Sequence, residues 1–64
     1  MMERGTHVVA RDYRNRELAR VVWEDVGLGI LLCTPADYER AQRDGGEPVT
    51  VGFPRGDVRP KAEL

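Results

Sequence analysis

Apolar and polar residues alternate with a period of two along much of this chain, and the alternation is interrupted at Asn, Gly and Pro, as in a succession of short strands and turns. Residues 6–12 predict a first strand, with Val8 and Ala10 on one face and His7, Val9 and Arg11 on the other. Tyr13 to Arg16 predict a turn in which Asn15 takes the left-handed conformation, which makes the flanking segments a hairpin. Residues 17–24 are the second strand, placing Ala19, Val21 and Trp23 on one face and Leu18, Arg20 and Val22 on the other. After a turn at 25–27, residues 28–33 form a third strand that is apolar on both faces, as expected of a central or doubly covered strand. Gly29 within it predicts a bend or bulge.

The period then changes. Thr34-Pro35-Ala36-Asp37 has the composition of a helix start: a hydroxyl to cap the first free amides, a proline at the first helical position and an acid in the first turn. Gly45-Gly46 ends the segment, so the pattern predicts a helix over about 35–43, packed through Tyr38 and Ala41 and carrying a Glu39/Arg43 pair. Residues 49–53 give a fourth strand, with Val49, Val51 and Phe53 inward. Arg55-Gly56-Asp57 is a turn, and Val58 opens a last short strand that Pro60 confines to an edge. Residues 1–5 and 61–64 are expected to be flexible ends of a single domain spanning 6–60.

The segment Gly52-Phe53-Pro54-Arg55-Gly56-Asp57-Val58 resembles the closing strand, 3₁₀ turn and terminal strand of Src-homology-3-like barrels. The resemblance implies a mainly β fold, a small barrel of four or five antiparallel strands with one short helix between the third and fourth. It does not extend to the recognition residues. Asp57 stands where the family's turn has Tyr, and no aromatic doublet opens the third strand, so the implied likeness is of shape and not of proline-rich peptide binding.

Sixty-four residues, 41% of them hydrophobic, set a size at which the core alone is a marginal stabiliser. One cysteine excludes an internal disulfide, and with one histidine it cannot supply a four-ligand structural zinc site without a second chain or carboxylates, so self-association is the remaining source of extra stability. A net charge of −1 argues against a dedicated DNA binder. A lone cysteine, with no signal-like or membrane-spanning apolar run, leads us to expect a cytoplasmic protein that meets no membrane.

Candidate chemistry is sparse. Cys33 and His7 have the residue types of a nucleophile and base but lack any third orienting group, and a buried strand cysteine is the plainer reading. Carboxylate spacing fits no metal loop, and Gly27-Leu28-Gly29 lacks the third glycine of a phosphate loop, so neither cofactor nor metal is expected. Arg55-Gly56-Asp57 spells an adhesion tripeptide inside what reads as a fold-closing turn. Trp23 is a core or interface anchor.

Two surfaces remain as candidates for a partner. Tyr13 with Arg11, Arg14, Arg16 and Arg20 suits an acidic protein patch, stacked bases or phosphates. Leu18, Val22, Leu31 and Cys33 are expected to form one apolar face, open to a second copy. The sequence thus points to a non-catalytic module that binds a protein or itself, of a length that suits a mobile element or a small bacterial reading frame. Weak nucleic-acid binding through the Tyr13/Arg hairpin is the alternative.

Overall fold

The computed structural model describes residues 1–63. The chain forms five antiparallel strands in one sheet: β1 (His7–Arg11), β2 (Glu17–Asp25), β3 (Gly29–Cys33), β4 (Val51–Pro54) and β5 (Val58–Pro60), in the spatial order β4-β3-β2-β1-β5. A helix, α1 (Pro35–Asp44), lies between β3 and β4, as the sequence pattern predicts. Its start and stop are made as expected. The Thr34 hydroxyl accepts the Asp37 amide at 3.1 Å, Pro35 fills the first turn, and Gly45 at φ 74° returns its amide to the Ala41 carbonyl.

β2 is the strand around which the sheet curls. Its first half pairs with β1, from Glu17↔Arg11 to Val21↔His7, and its second half pairs with β3, from Val21↔Cys33 to Asp25↔Ile30. β4 and β5 are the two edges, yet only the 3₁₀ turn Arg55–Asp57 joins them. A flat five-stranded sheet would hold its edge strands about 19 Å apart, while the four steps of 3₁₀ turn from Pro54 to Val58 advance the chain by only about 8 Å. The sheet therefore bends strongly, but no ladder joins β4 to β5. The expected barrel is an open, curled sheet.

A bulge at Trp23 decides which residues share a face. Below it Asp25 opposes Ile30 and Glu24 opposes Leu31; above it Val22 opposes Leu32, one residue out of step with a regular hairpin. Without that extra residue Val22 would oppose Cys33, the arrangement expected from the alternation alone. With it, Val22 and Leu18 face the concave side together with Leu32 and Ile30, while Leu31 and Cys33 face the convex side. Leu18, Val22, Leu31 and Cys33 consequently do not form one face. Gly29 is not the bulge: a Cβ there would lie 3.2 Å from the Phe53 carbonyl oxygen, so it serves the close approach of β4.

The concave core consists of Val8, Ala10, Val22, Ile30, Leu32 and Val58, with Met2 and Phe53 packed at its margin. On the convex side Val21, Cys33 and Ala41 are buried and Tyr38 meets Trp23 edge to face, with ring centres 6.3 Å apart. This is the contact the ten-residue helix needs, since so short a helix does not persist alone in water. The expected Glu39/Arg43 pair does not form; Arg40 bonds Asp37 and Arg43 lies near Asp44.

The N-terminal residues are held where free ends were expected. The Met2 amide bonds Asp25, Arg4 donates to the Trp23 carbonyl and lies 4.0 Å from its ring centre, and the Gly5 amide reaches the Val22 carbonyl. Lys61–Glu63 forms a further 3₁₀ turn, and Leu64 lies outside the described residues.

The face assignment has a direct consequence in adjacent residues of nearly equal size. Ile30→Ala, at a fully buried position, is expected to cost about 2–5 kcal/mol, whereas Leu31→Ala, half-buried on the other face, is expected to cost less than about half as much. Urea unfolding of both variants checks this, and a larger loss for Leu31→Ala than for Ile30→Ala would contradict the register shift at Trp23.

Candidate functional site

The helix insertion leaves a gap in the concave face. After α1 the chain returns to β4 through residues 45–50, and one side chain secures that return. Asp37 accepts the Val49 amide at 2.6 Å on one oxygen and the Arg40 guanidinium at 2.8 Å on the other, while Arg40 also reaches the Glu47 carbonyl at 3.5 Å. Pro48, within this segment, is buried. The backbone is thus fixed, but the side chains that follow remain open: Val49 is 78% exposed and Val51 59%, although the alternation had placed both inward.

Between strap, helix start and sheet lies a cleft of about 520 Å³. Leu32, Phe53, Val51, Val49 and Ala36 give it apolar walls, and Asp37 and Arg40 neutralise each other at its rim. Arg20 enters from β2. Its guanidinium donates only to the neighbouring Ala19 carbonyl at 2.7 Å, and it has no carboxylate partner among the described residues. The cleft has the size and apolar character of a site for small apolar groups, with one cation at its wall. Beside it β4 is a free sheet edge, paired with β3 alone.

A second apolar feature lies at the other end of β3. Val26 and Leu28 sit on the β2–β3 turn, and Leu28 is 98% exposed. The turn is nevertheless firmly bonded. Asp25 accepts the Met2 amide at 2.8 Å and the Gly27 amide at 3.0 Å, and pairs with Arg55. Arg55 donates a further bond to the Gly27 carbonyl at 3.0 Å, and the Val26 amide reaches the Gly29 carbonyl. The Asp25 side chain is only 3% exposed, and these donors, the two amides first, hold its pKa well below the ordinary carboxylate value. Sequence reasoning missed Val26 and Leu28 because they read as a turn and a strand start. The available signal was the pair of apolar residues between Glu24-Asp25 and Gly29, where turns ordinarily carry polar side chains.

The Tyr13/Arg group is only partly assembled. Asp12 accepts the Arg14 and Arg16 amides, each at 2.9 Å, and the Arg16 guanidinium at 3.1 Å, with Asn15 at φ 64° as expected. These bonds lower the Asp12 pKa, the Arg16 amide most strongly. Tyr13 is 89% exposed and Arg14 lies 5.5 Å from its ring centre. Arg11 and Arg20, however, fall on opposite faces of the sheet, since Arg11 opposes Glu17 and Arg20 opposes Val8. What remains together is Tyr13, Arg14 and a partly neutralised Arg16.

The remaining candidates are dispersed. His7 and Cys33 both flank Val21 in the sheet, which puts them two strand spacings apart, about 10 Å, with Val21 between. Burial, and then the Asp37 carboxylate, raise the Cys33 thiol pKa, the reverse of what a nucleophilic thiolate requires. Arg55 of the Arg-Gly-Asp tripeptide is occupied by Asp25 and Gly27. No group of three or more His, Cys, Asp or Glu among the described residues is placed to hold a metal ion, and no described helix is long and apolar enough to cross a membrane. Comparison of the chain with protein-family models, with curated proteins and with solved structures finds no match.

The carboxylate network fixes the sign of the acid response. Asp12, Asp25 and Asp37 all have folded pKa values below their ordinary 3.8, so their stabilisation is complete above about pH 4 and is lost as pH falls through the lower folded values. Urea midpoints measured from about pH 6 down to about pH 2 are expected to be flat at first and then to fall. Asp25→Asn is expected to start from a lower midpoint and to show a shallower acid decline; an unchanged decline would remove Asp25 as its main source.

Proposed function

We propose that this protein is a non-catalytic binding module that takes an apolar segment of a protein partner in the cleft between α1 and β4. The observation that supports this reading is the continuity of the cleft with Val49, whose amide Asp37 holds, and Val51 at the start of β4, both left uncovered beside a free sheet edge. An extended segment laid along β4 extends the sheet by backbone hydrogen bonds and sends alternate side chains into the cleft. Pro54, lacking an N–H, limits such a ladder to Val51–Phe53, so most of the affinity comes from apolar burial. The lone cysteine, free and buried, accords with a reducing, cytoplasmic setting.

Nucleic-acid binding at the hairpin is the second reading, supported by the exposed Tyr13 and the adjacent Arg14. It has fewer free cations than the sequence implies, because Asp12 engages Arg16 and Arg20 lies in the cleft.

Peptides selected by display against the folded protein, and a single-stranded oligonucleotide, are to be titrated separately into ¹⁵N-labelled protein. Amide shifts are expected at Leu32, Thr34, Val51 and Phe53 with the peptides, abolished in Val51→Asp. Shifts confined to Asp12–Arg16, produced by the oligonucleotide and suppressed by salt, would favour the hairpin instead.

A further inference from the structure

We propose that the occupant of the cleft is the Val26–Leu28 tip of a second copy of this chain, seated reciprocally across a two-fold axis; the inference rests on the cleft reading above. Knob and hole occur on the same molecule. Leu28 is almost fully exposed, yet its turn is anchored by bonds from Met2, Gly27, Gly29 and Arg55, so little ordering remains to be done when it docks. A leucine side chain fits easily within about 520 Å³, and the walls it would meet are apolar.

Their placement permits closure. The tip precedes Gly29, at the end of β3 that faces Pro54; the cleft lies by Leu32 and Thr34, at the end that faces Val51. The two levels are about 13 Å apart along the strand. Antiparallel approach of two β4 edges sets the start of each strand beside the end of the other, and so brings each tip level with the partner's cleft. Both contacts form together and leave neither tip unused, which distinguishes a closed dimer from a head-to-tail filament. Among the described residues, the one charge left uncompensated at the contact is Arg20 at the cleft wall, and the tip that meets it is uncharged. Asp25 and Arg55 cancel beneath the tip, and Asp37 and Arg40 cancel at the cleft rim. The covered surface is on the order of 1,000 Å² in total, at the small end of specific interfaces, so the dissociation constant is expected to be on the order of 10–100 µM.

Sedimentation equilibrium at about 500 µM tests this, because the full chain is its own probe. Wild type is expected at twice 7.2 kDa. Leu28→Ser leaves the fold unchanged, Leu28 being outside the core, and weakens association by about tenfold or more; Val51→Asp does the same from the cleft side. An equimolar mixture of the two variants is expected to associate more tightly than either alone, because the Val51→Asp chain still offers a tip and the Leu28→Ser chain still offers a cleft. A 7.2 kDa species throughout, a dimer indifferent to Leu28→Ser, assemblies larger than a dimer, or a mixture no tighter than its components would each overturn the proposal. Peptide binding at the cleft of a strictly monomeric protein would overturn the second-copy occupant alone and leave the binding module standing.

Discussion

The carboxylate of Asp25 ties together three stretches of chain that are remote in sequence: the N-terminal segment through Met2, the β2–β3 turn through Gly27, and the link between the edge strands through Arg55. Each partner would be unfavourable to leave unpaired beside an acid so little exposed, and an acid with two amide donors and a guanidinium is stabilised in its charged form. The position follows from the bulge two residues earlier. Trp23 takes up an extra place in β2, which puts Asp25, level with Ile30, on the concave side with Val22 instead of on the face of Val21. The chain end, the turn and the edge link then meet at one point.

The open cleft follows from the same economy of scale. A sheet that must bend far enough for a three-residue turn to join its edges acquires a concave face, and in 64 residues there are too few large apolar side chains to fill it. Val8, Ala10, Val22, Ile30, Leu32 and Val58 fill the middle. The single helix is spent on the convex side, over Val21 and Cys33, so the concave end near β4 has only Phe53 and the two exposed valines. The strap from Asp37 to Val49 fixes the backbone there without covering it. An apolar opening held in shape by polar bonds is a different object from a loose patch, and it gives the binding reading a physical basis.

What the sequence revealed was local. Thr34, Pro35 and Gly45 bracket the helix because capping chemistry acts within a few residues, Asn15 marks its own turn for the same reason, and Pro60 restricts β5 to an edge by lacking a donor. What it concealed depended on register between strands. Alternation places Leu18 with Val22 and Leu31 with Cys33 correctly as pairs, but whether the two pairs share a face turns on one inserted residue, and nothing in Val22-Trp23-Glu24 announces it. The Arg cluster dispersed for a related reason: residues close in sequence but odd in spacing, such as Arg11 and Arg14, or on opposed strands, such as Arg11 and Arg20, need not meet. The sequence pattern places Arg20 on a surface hairpin and Leu28 in a strand, whereas Arg20 lines the cleft and Leu28 stands exposed at the tip.

Through its bonds to Met2, Gly27 and Arg55, Asp25 makes the β2–β3 turn a rigid, pre-formed projection and not a mobile loop that happens to carry a leucine. Backbone ¹⁵N relaxation at Gly27 and Leu28 reports this directly on the picosecond to nanosecond scale. Order parameters near about 0.85, equal to those of the flanking strands, are expected; values below about 0.6 at both amides would contradict it.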